Sequence, residues 1–167
     1  MTIDMYQASI PVLTRQLGNL SGIIDKASTH AGAKNIAPSV FISARLAPDM
    51  YPLSTQVQIA TDVAKACAAR LAGIEVPAYE NKDATFADLQ TRIANTVGFL
   101  QSVSPEQING TGRTITFKLW GKDVSFLGLP YLLNFVLPNV YFHITTAYGI
   151  LRHNGVDIGK ENFLGSY

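Results

Sequence analysis

The sequence predicts an all-α fold, an antiparallel four-helix bundle with a small β-hairpin between its third and fourth helices. Four segments carry apolar residues at alternating steps of three and four, which is the spacing of one buried helix face. A short segment between the last two of them alternates apolar and polar residues, as strands do. The stretch from Val124 to Leu151 contains no Asp, Glu, Lys or Arg, so its helix must be covered by protein or by lipid.

The first predicted helix has a single apolar stripe. Its members lie three or four residues apart: Tyr6, Ile10, Leu13, Leu17, Leu20, Ile24 and Ala27. Pro11 denies the carbonyl of Gln7 its usual donor, so the helix either bends there or begins late, near Ser9. Gly32 is predicted to end it.

The second and third helices are predicted from the same spacing. Pro52 suits the first turn of the second helix, and Gly73 ends it. Its stripe is Leu53, Val57, Ala60, Ala64, Cys67 and Leu71. Thr85 and Asp88 are expected to form a capping box at the start of the third helix. The third stripe is Phe86, Leu89, Ile93, Val97 and Leu100.

A small hairpin is predicted after one further turn that Pro105 opens and a loop from Asn109 to Gly112. Apolar residues of the first strand alternate with polar ones: Ile115, Phe117 and Leu119. The second strand is Val124 to Phe126. A two-stranded ribbon is only marginally stable alone, so we expect it to pack on the bundle through Phe117, Trp120 and Phe126.

The fourth helix is predicted to begin at Pro130 and to be capped by Asn154 and Gly155. Its stripe is Leu133, Val136, Val140, His143, Ala147 and Ile150. Three apolar residues of the tail are expected to pack back on the bundle: Phe163, Leu164 and Tyr167.

Composition fits one domain, residues 1–167, in the cytoplasm. A net charge of +1 argues against a nucleic-acid partner, which requires clustered Lys and Arg. Cys67 is the only cysteine, which excludes an internal disulfide, and the first residues lack the basic and apolar run of a secretory signal. Prolines, asparagines and a histidine interrupt the uncharged stretch, so a membrane span is not expected.

Several strings resemble the domain-of-unknown-function family DUF1993, which is related to the DinB and YfiT-like superfamily of four-helix bundles. The resemblance covers the whole chain, and these strings carry it: Ala44–Leu53, Gln56–Ala60, Asn139–His143, Ala147–Val156 and Gly159–Lys160. It implies the bundle fold and a homodimer. It implies no activity, because the family has no established reaction.

Many members of the wider superfamily hold a divalent metal with three histidines, one on the second helix and an H-x-x-x-H pair on the fourth. His143 matches the first of that pair, but Ala147 stands at the second position, and the second helix contains no histidine. A metal would need other ligands, such as His143 with Asp49 or Asp62. We therefore expect no tightly bound metal and no other cofactor.

His143 interrupts the apolar stripe of the fourth helix, and two interpretations stand. It is a core histidine with an internal hydrogen-bond partner, or it lines a polar pocket, where its titration near neutral pH suits proton transfer. Asn139 lies one turn earlier, and Pro138 frees the carbonyl of Asn134. Polar groups are thus concentrated in this half of the helix.

Two further groups of polar residues are candidates for the same pocket. Arg45 and Asp49 lie four apart in a loop bounded by prolines, where they bind a ligand or pin the loop to the helix ends. Gln58, Asp62 and Lys65 share a face of the second helix, and a solvated face with an Asp62–Lys65 ion pair is the ordinary explanation. If that face points inward, Asp62 is the strongest carboxylate candidate.

Two other features are weaker candidates for chemistry. Cys67 is a stripe residue, inert unless a positive neighbour lowers its pKa, and it forms a nucleophile pair with His143 only if their stripes face each other. The segment from Gly155 to Lys160 resembles a phosphate loop. Its glycine spacing is one residue short and it follows a helix, so no nucleotide site is predicted there.

Two classes of function fit these features. The first is binding or modification of a small molecule in a polar pocket between the second and fourth helices, with His143 at its centre. The second is a non-enzymatic, homodimeric interaction protein. A narrow cleft that reaches His143 favours the first, and a large apolar patch on the second or third helix favours the other.

Overall fold

A computed structural model describes residues 3–109 and 112–166. Helix α1 runs from Met5 to Lys34. Asp4 caps it, with its side chain accepting from the backbone N–H of Gln7 at 2.7 Å while the Gln7 side chain accepts in return. Because this capping box satisfies the first turn, the helix begins at Met5 and runs through Pro11, so the prediction of a late start near Ser9 is wrong.

The far end of α1 also differs from the prediction. The helix continues past Gly32, and Asn35 ends it in the left-handed conformation at φ 54°. Asparagine tolerates that conformation better than most residues, so it serves as the cap in place of glycine. A short helix, α2, follows at Pro38–Ile42 and buries Phe41.

Helices α3 and α4 have the predicted starts and stripes. Helix α3 spans Leu53–Ala72 and ends at Gly73, whose φ of 69° is left-handed. Helix α4 spans Phe86–Gln101, and Thr85 and Asp88 form the predicted capping box. The further turn opened by Pro105 is helix α5, Pro105–Asn109. Part of the predicted loop that follows lies outside the described residues.

The predicted hairpin is present as two antiparallel strands, β1 at Thr114–Leu119 and β2 at Lys122–Leu127. Phe117 and Phe126 pack on the bundle as predicted, each within 6.1 Å, centroid to centroid, of the Tyr131 ring. Trp120 does not, because it forms the two-residue turn with Gly121. Both turn residues have positive φ, and the Trp120 side chain is 93% exposed.

The fourth helix begins two residues before the predicted Pro130. Helix α6 covers Gly128–Tyr131, a π-helical turn covers Leu132–Val136, and helix α7 covers Leu137–His153. The N–H of Leu137 donates to the carbonyl of Leu132, five residues back. The wider turn rotates the stripe, so Leu132 is buried and the predicted Leu133 is 48% exposed.

The four long helical stretches pack as a bundle. Helix α3 packs against α7 and α4, and α1 packs against α4. The tail forms helix α8, Lys160–Leu164, on α1, where Asn19 donates to the carbonyl of Phe163 at 2.9 Å. The predicted tail contact of Tyr167 falls outside the described residues. Among helices built from described residues, none combines the length and apolarity needed to cross a membrane.

Candidate functional site

A groove of about 690 Å³ lies between α3 and α7, with the tip of the hairpin as its third wall. Three of the predicted polar residues, His143, Asn139 and Asn134, line it together. The groove is named here the His143 groove. Its remaining walls are mostly apolar: Tyr51, Ile59, Val63, Leu119, Trp120, Phe135, Pro138 and Phe142.

Gln56 of α3 holds the imidazole of His143 in place. Gln56 is 1% exposed. Its side-chain nitrogen donates to the carbonyl of Tyr51 at 3.0 Å, which turns its oxygen toward His143 Nδ1 at 2.7 Å. A carbonyl oxygen only accepts, so this orientation assigns a proton to Nδ1 and leaves a lone pair on Nε2.

Nε2 is the ring nitrogen available to a ligand. No hydrogen bond joins it to another residue of the described chain, while the half-buried ring lines the His143 groove. Partial burial lowers the pKa of His143 from its ordinary value, because desolvation disfavours the imidazolium. At neutral pH the group is therefore an uncharged acceptor of a hydrogen bond or of a proton.

The rim of the His143 groove is aromatic and exposed. Tyr51 is 59% exposed, Phe142 57% and Trp120 93%. Trp120 stands in the left-handed conformation at φ 49°, which is unusual for a bulky side chain, and its ring contributes no core packing in return. The sequence predicted Trp120 as an anchor of the hairpin. The rim residues carried no periodic signal that marked them for a groove.

Arg45 and Asp49 do not line the His143 groove. Both side chains are exposed in the loop before α3. The Arg45 guanidinium donates to the carbonyl of Met50, which holds the loop in its turn. Asp49 does not cap α3, since Pro52 occupies the N-cap position without a side-chain hydrogen bond.

Gln58 and Asp62 belong instead to a polar network between α3, α4 and the segment 74–84. The predicted Asp62–Lys65 ion pair is present at 3.0 Å, but Lys65 is 3% exposed, so this face is not solvated as expected. Gln58 donates to Asp83 at 2.8 Å. Lys65 also lies 3.6 Å from the centroid of the Tyr79 ring, a cation–π contact.

Arg92 of α4 is the centre of this network. It is 4% exposed, and its guanidinium donates five hydrogen bonds of 2.8 to 3.2 Å. The acceptors are Thr61, Glu80, Asp83, Asp62 and Asn81. With every donor satisfied, Arg92 pins the segment 74–84 to the bundle. Sequence periodicity missed it, because the acceptors come from separate stretches of the chain.

Cys67 is not a nucleophile in this fold. Its side chain is fully buried in the core. Burial raises the pKa of the thiol to about 12, and the nearby charge of Arg70 offsets that only in part. The thiolate needed for a Cys67–His143 pair does not form at physiological pH, so that hypothesis is wrong.

The residues around His143 do not fit the superfamily's three-histidine metal site. Ala147, at the position of the second histidine, is 0% exposed and packed in the core. Asp62 already receives Lys65 and Arg92, and Asp49 stands exposed outside the groove. Within residues 3–109 and 112–166 there is no group of three His, Cys, Asp or Glu placed to hold a metal ion.

Fold and groove together define a DinB-like helical bundle with an open, mostly apolar groove beside its fourth helix, into which one imidazole and two amides project. The family model for a domain of unknown function, DUF1993, matches residues 5–164, so the chain belongs to that family. Among the curated proteins, none matches this chain. A crystal structure described as a DinB family member from Shewanella denitrificans is 38% identical, with a TM-score of 0.89. The match covers 97% of this chain and 92% of that one.

Proposed function

We propose that the protein binds a small organic molecule in the His143 groove, where His143 Nε2 accepts a hydrogen bond from a hydroxyl or amide of the ligand. The observation that carries this proposal is the fixed imidazole. Buried Gln56 orients Nδ1, and Nε2 of the half-buried ring has no partner in the described chain. Preorganisation of this kind lowers the entropy that a ligand loses on binding.

The walls support an uncharged or amphiphilic ligand with an apolar body. Ligand sites are commonly mostly apolar with a few placed polar groups, and this groove combines aromatic walls with two amides and one imidazole. Asn134 and Asn139 each offer a donor and an acceptor for a second polar group. The proposal includes a cytoplasmic location, which suits a protein whose single cysteine is reduced and buried.

Two substitutions of His143 distinguish a role in ligand binding from a role in the stability of the fold. In His143→Asn, the amide nitrogen stands near the Nδ1 position, so it still donates to Gln56 while the Nε2 acceptor is lost. In His143→Gln, the polar group lies further out, and the buried Gln56 oxygen loses its donor. We expect His143→Asn to melt near the wild type but to lose binding, and His143→Gln to cost about 1 to 3 kcal/mol of stability.

The measurement is a fragment screen of small alcohols, phenols and amides by ligand-observed NMR, followed by fluorescence titration. Trp120 is the only tryptophan of the chain and stands on the groove rim, so its emission reports occupancy. Trp120→Asn removes this emission and is the blank of the titration, because asparagine suits the left-handed turn. Fragments that bind wild type and His143→Asn equally would contradict the proposal, as would a screen without binders.

A second candidate function, homodimeric interaction, is favoured by the exposed apolar residues of the uncharged stretch. Leu127, Leu129, Leu133 and Phe142 are each between 48% and 59% exposed, on β2 and the fourth helix rather than on α3 or α4. Large exposed apolar patches mark interaction surfaces. Under this candidate, Leu133→Lys lowers the mass found by light scattering to that of one chain, whereas Val40→Lys, 52% exposed on α2, does not. A wild-type protein that is monomeric in solution would contradict this second candidate.

A further inference from the structure

Arg70, in the last turn of α3, is a cation that lies beside two aromatic rings. Its guanidinium carbon lies 3.9 Å from the centroid of the Phe117 ring. Its Nη1 donates to the hydroxyl of Tyr131 at 3.0 Å. Tyr131 is fully buried, and burial raises the pKa of its hydroxyl to about 12. The hydroxyl therefore stays protonated and supplies no negative charge to balance Arg70.

Lys65, Lys118 and Arg92 have carboxylate partners, and Arg70 does not. Lys65 pairs with Asp62 at 3.0 Å, and Lys118 pairs with Asp123 at 3.3 Å. Arg92 is shared by Asp62 and Asp83. No carboxylate of residues 3–109 or 112–166 lies within ion-pair distance of Arg70, although the side chain is half-buried. An unpaired, partly desolvated charge costs free energy, so an anion that pairs with it gains binding free energy.

Arg70 opens on a second groove of about 460 Å³, named here the Arg70 groove. The Lys65–Asp62 ion pair also lines it but carries no net charge, and the loop residues Val76 to Tyr79 form its outer wall. Phe117 and Phe135 supply aromatic surface. Val63, Leu119 and Phe135 line both the Arg70 groove and the His143 groove. The two grooves therefore adjoin along α3 but present different chemistry.

We infer that the Arg70 groove is an anion site for an organic carboxylate or phosphate monoester with an aromatic or aliphatic body. Nη1 is committed to Tyr131, so Nη2 and Nε remain to donate to two oxygens of one anionic group. The cation–π contact with Phe117 at 3.9 Å and the hydrogen bond to Tyr131 restrain the position of this fork. The apolar walls then cover the body of the ligand. The inference goes beyond binding at His143 and does not rest on it.

Benzoate, phenyl phosphate and neutral benzamide are the probes, titrated by calorimetry at low ionic strength. We expect one or both anions to bind at least about tenfold more tightly than benzamide. Arg70→Gln should weaken binding of the anions by about tenfold or more. Arg70→Lys keeps the charge but not the fork, so it should weaken their binding by less. Lys122→Gln is the matched control, because it removes an exposed positive charge of β2 that does not line the groove.

Preference for benzoate or for phenyl phosphate identifies the ligand as carboxylate or phosphate, and either supports the site. Equal binding of all three probes overturns the inference, as does equal weakening of anion binding by Lys122→Gln and Arg70→Gln. Inorganic phosphate binding as tightly as phenyl phosphate overturns the organic ligand class. If melting shows Arg70→Gln unfolded, Arg70→Lys decides, and unchanged anion affinity in that variant overturns the site.

Discussion

Gln56 is the residue that converts a histidine on an apolar stripe into a directed acceptor. Both ends of its amide are engaged, one with the Tyr51 carbonyl and one with His143 Nδ1. The sequence placed His143 at a polar interruption of its helix, but it gave no reason to choose Gln56 over any other amide. The partner comes from 87 positions away in the chain, and only the packing of α3 on α7 brings it there.

The His143 pKa makes stability depend on pH in a definite direction. Burial lowers this pKa in the folded protein, so the unfolded chain binds more protons near and below its ordinary value of about 6.5. The contribution of uncharged His143 to the free energy of unfolding is therefore fully present above that pH, and it is lost as the pH falls through the lowered pKa of the folded state. We expect the wild type to lose more unfolding free energy than His143→Asn between pH 7.5 and 5.0. Urea titrations of both proteins at both pH values measure this, and identical losses would contradict it.

At the scale of elements, the helices were predictable and their irregularities were not. Stripes at steps of three and four locate α1, α3 and α4 because each helix buries one face. The π-helical turn at Leu132–Val136 breaks that rule within a helix, which exchanges Leu133 for Leu132 in the core. No residue of the stripe indicates that a turn contains an extra residue, so periodicity alone assigns Leu133 to the core in place of Leu132.

The end of α3 supports a paired glycine prediction. Gly73 has φ 69°, and the Arg113 guanidinium lies where an added Cβ would be. We expect Gly73→Ala to lower the free energy of unfolding by about 1 to 2 kcal/mol, because a left-handed alanine is strained. Gly22, exposed in the middle of α1, has open space for a Cβ. Gly22→Ala should instead raise the free energy by about 0.5 to 1 kcal/mol.

Thermal or urea unfolding of both glycine variants checks the pair. Each change adds one methyl group, so hydrophobic burial does not distinguish them. Equal effects of the two substitutions would show that the left-handed conformation of Gly73 carries no cost, contrary to its role as the cap of α3.

For the whole molecule, the apolar stripes of the sequence predict which helix faces are buried. The grooves depend instead on residues that do not follow those stripes. Most stripe residues are fully buried, and they fix which helix faces meet. The His143 groove depends on Trp120 standing outward in a tight turn, and the polar network depends on Arg92 meeting acceptors from α3 and the segment 74–84. Periodicity carries no information on such contacts, because they join stretches distant in the chain.

The single cysteine reports opening of the entire bundle. Cys67 is 0% exposed on α3, and burial holds the pKa of its thiol at about 12, so a disulfide reagent meets neither access nor thiolate in the folded state. We expect Ellman's reagent at pH 8 to leave the native protein unlabelled and to label one thiol per chain in denaturant. Because Cys67 lies in the core, labelling at intermediate urea should follow the loss of helical signal by circular dichroism, with Cys67→Ala as the blank. Labelling that ran ahead of helix loss would mean that the core around Cys67 opens before the helices unfold, and α3 would then belong to a locally opening unit rather than to the rigid core.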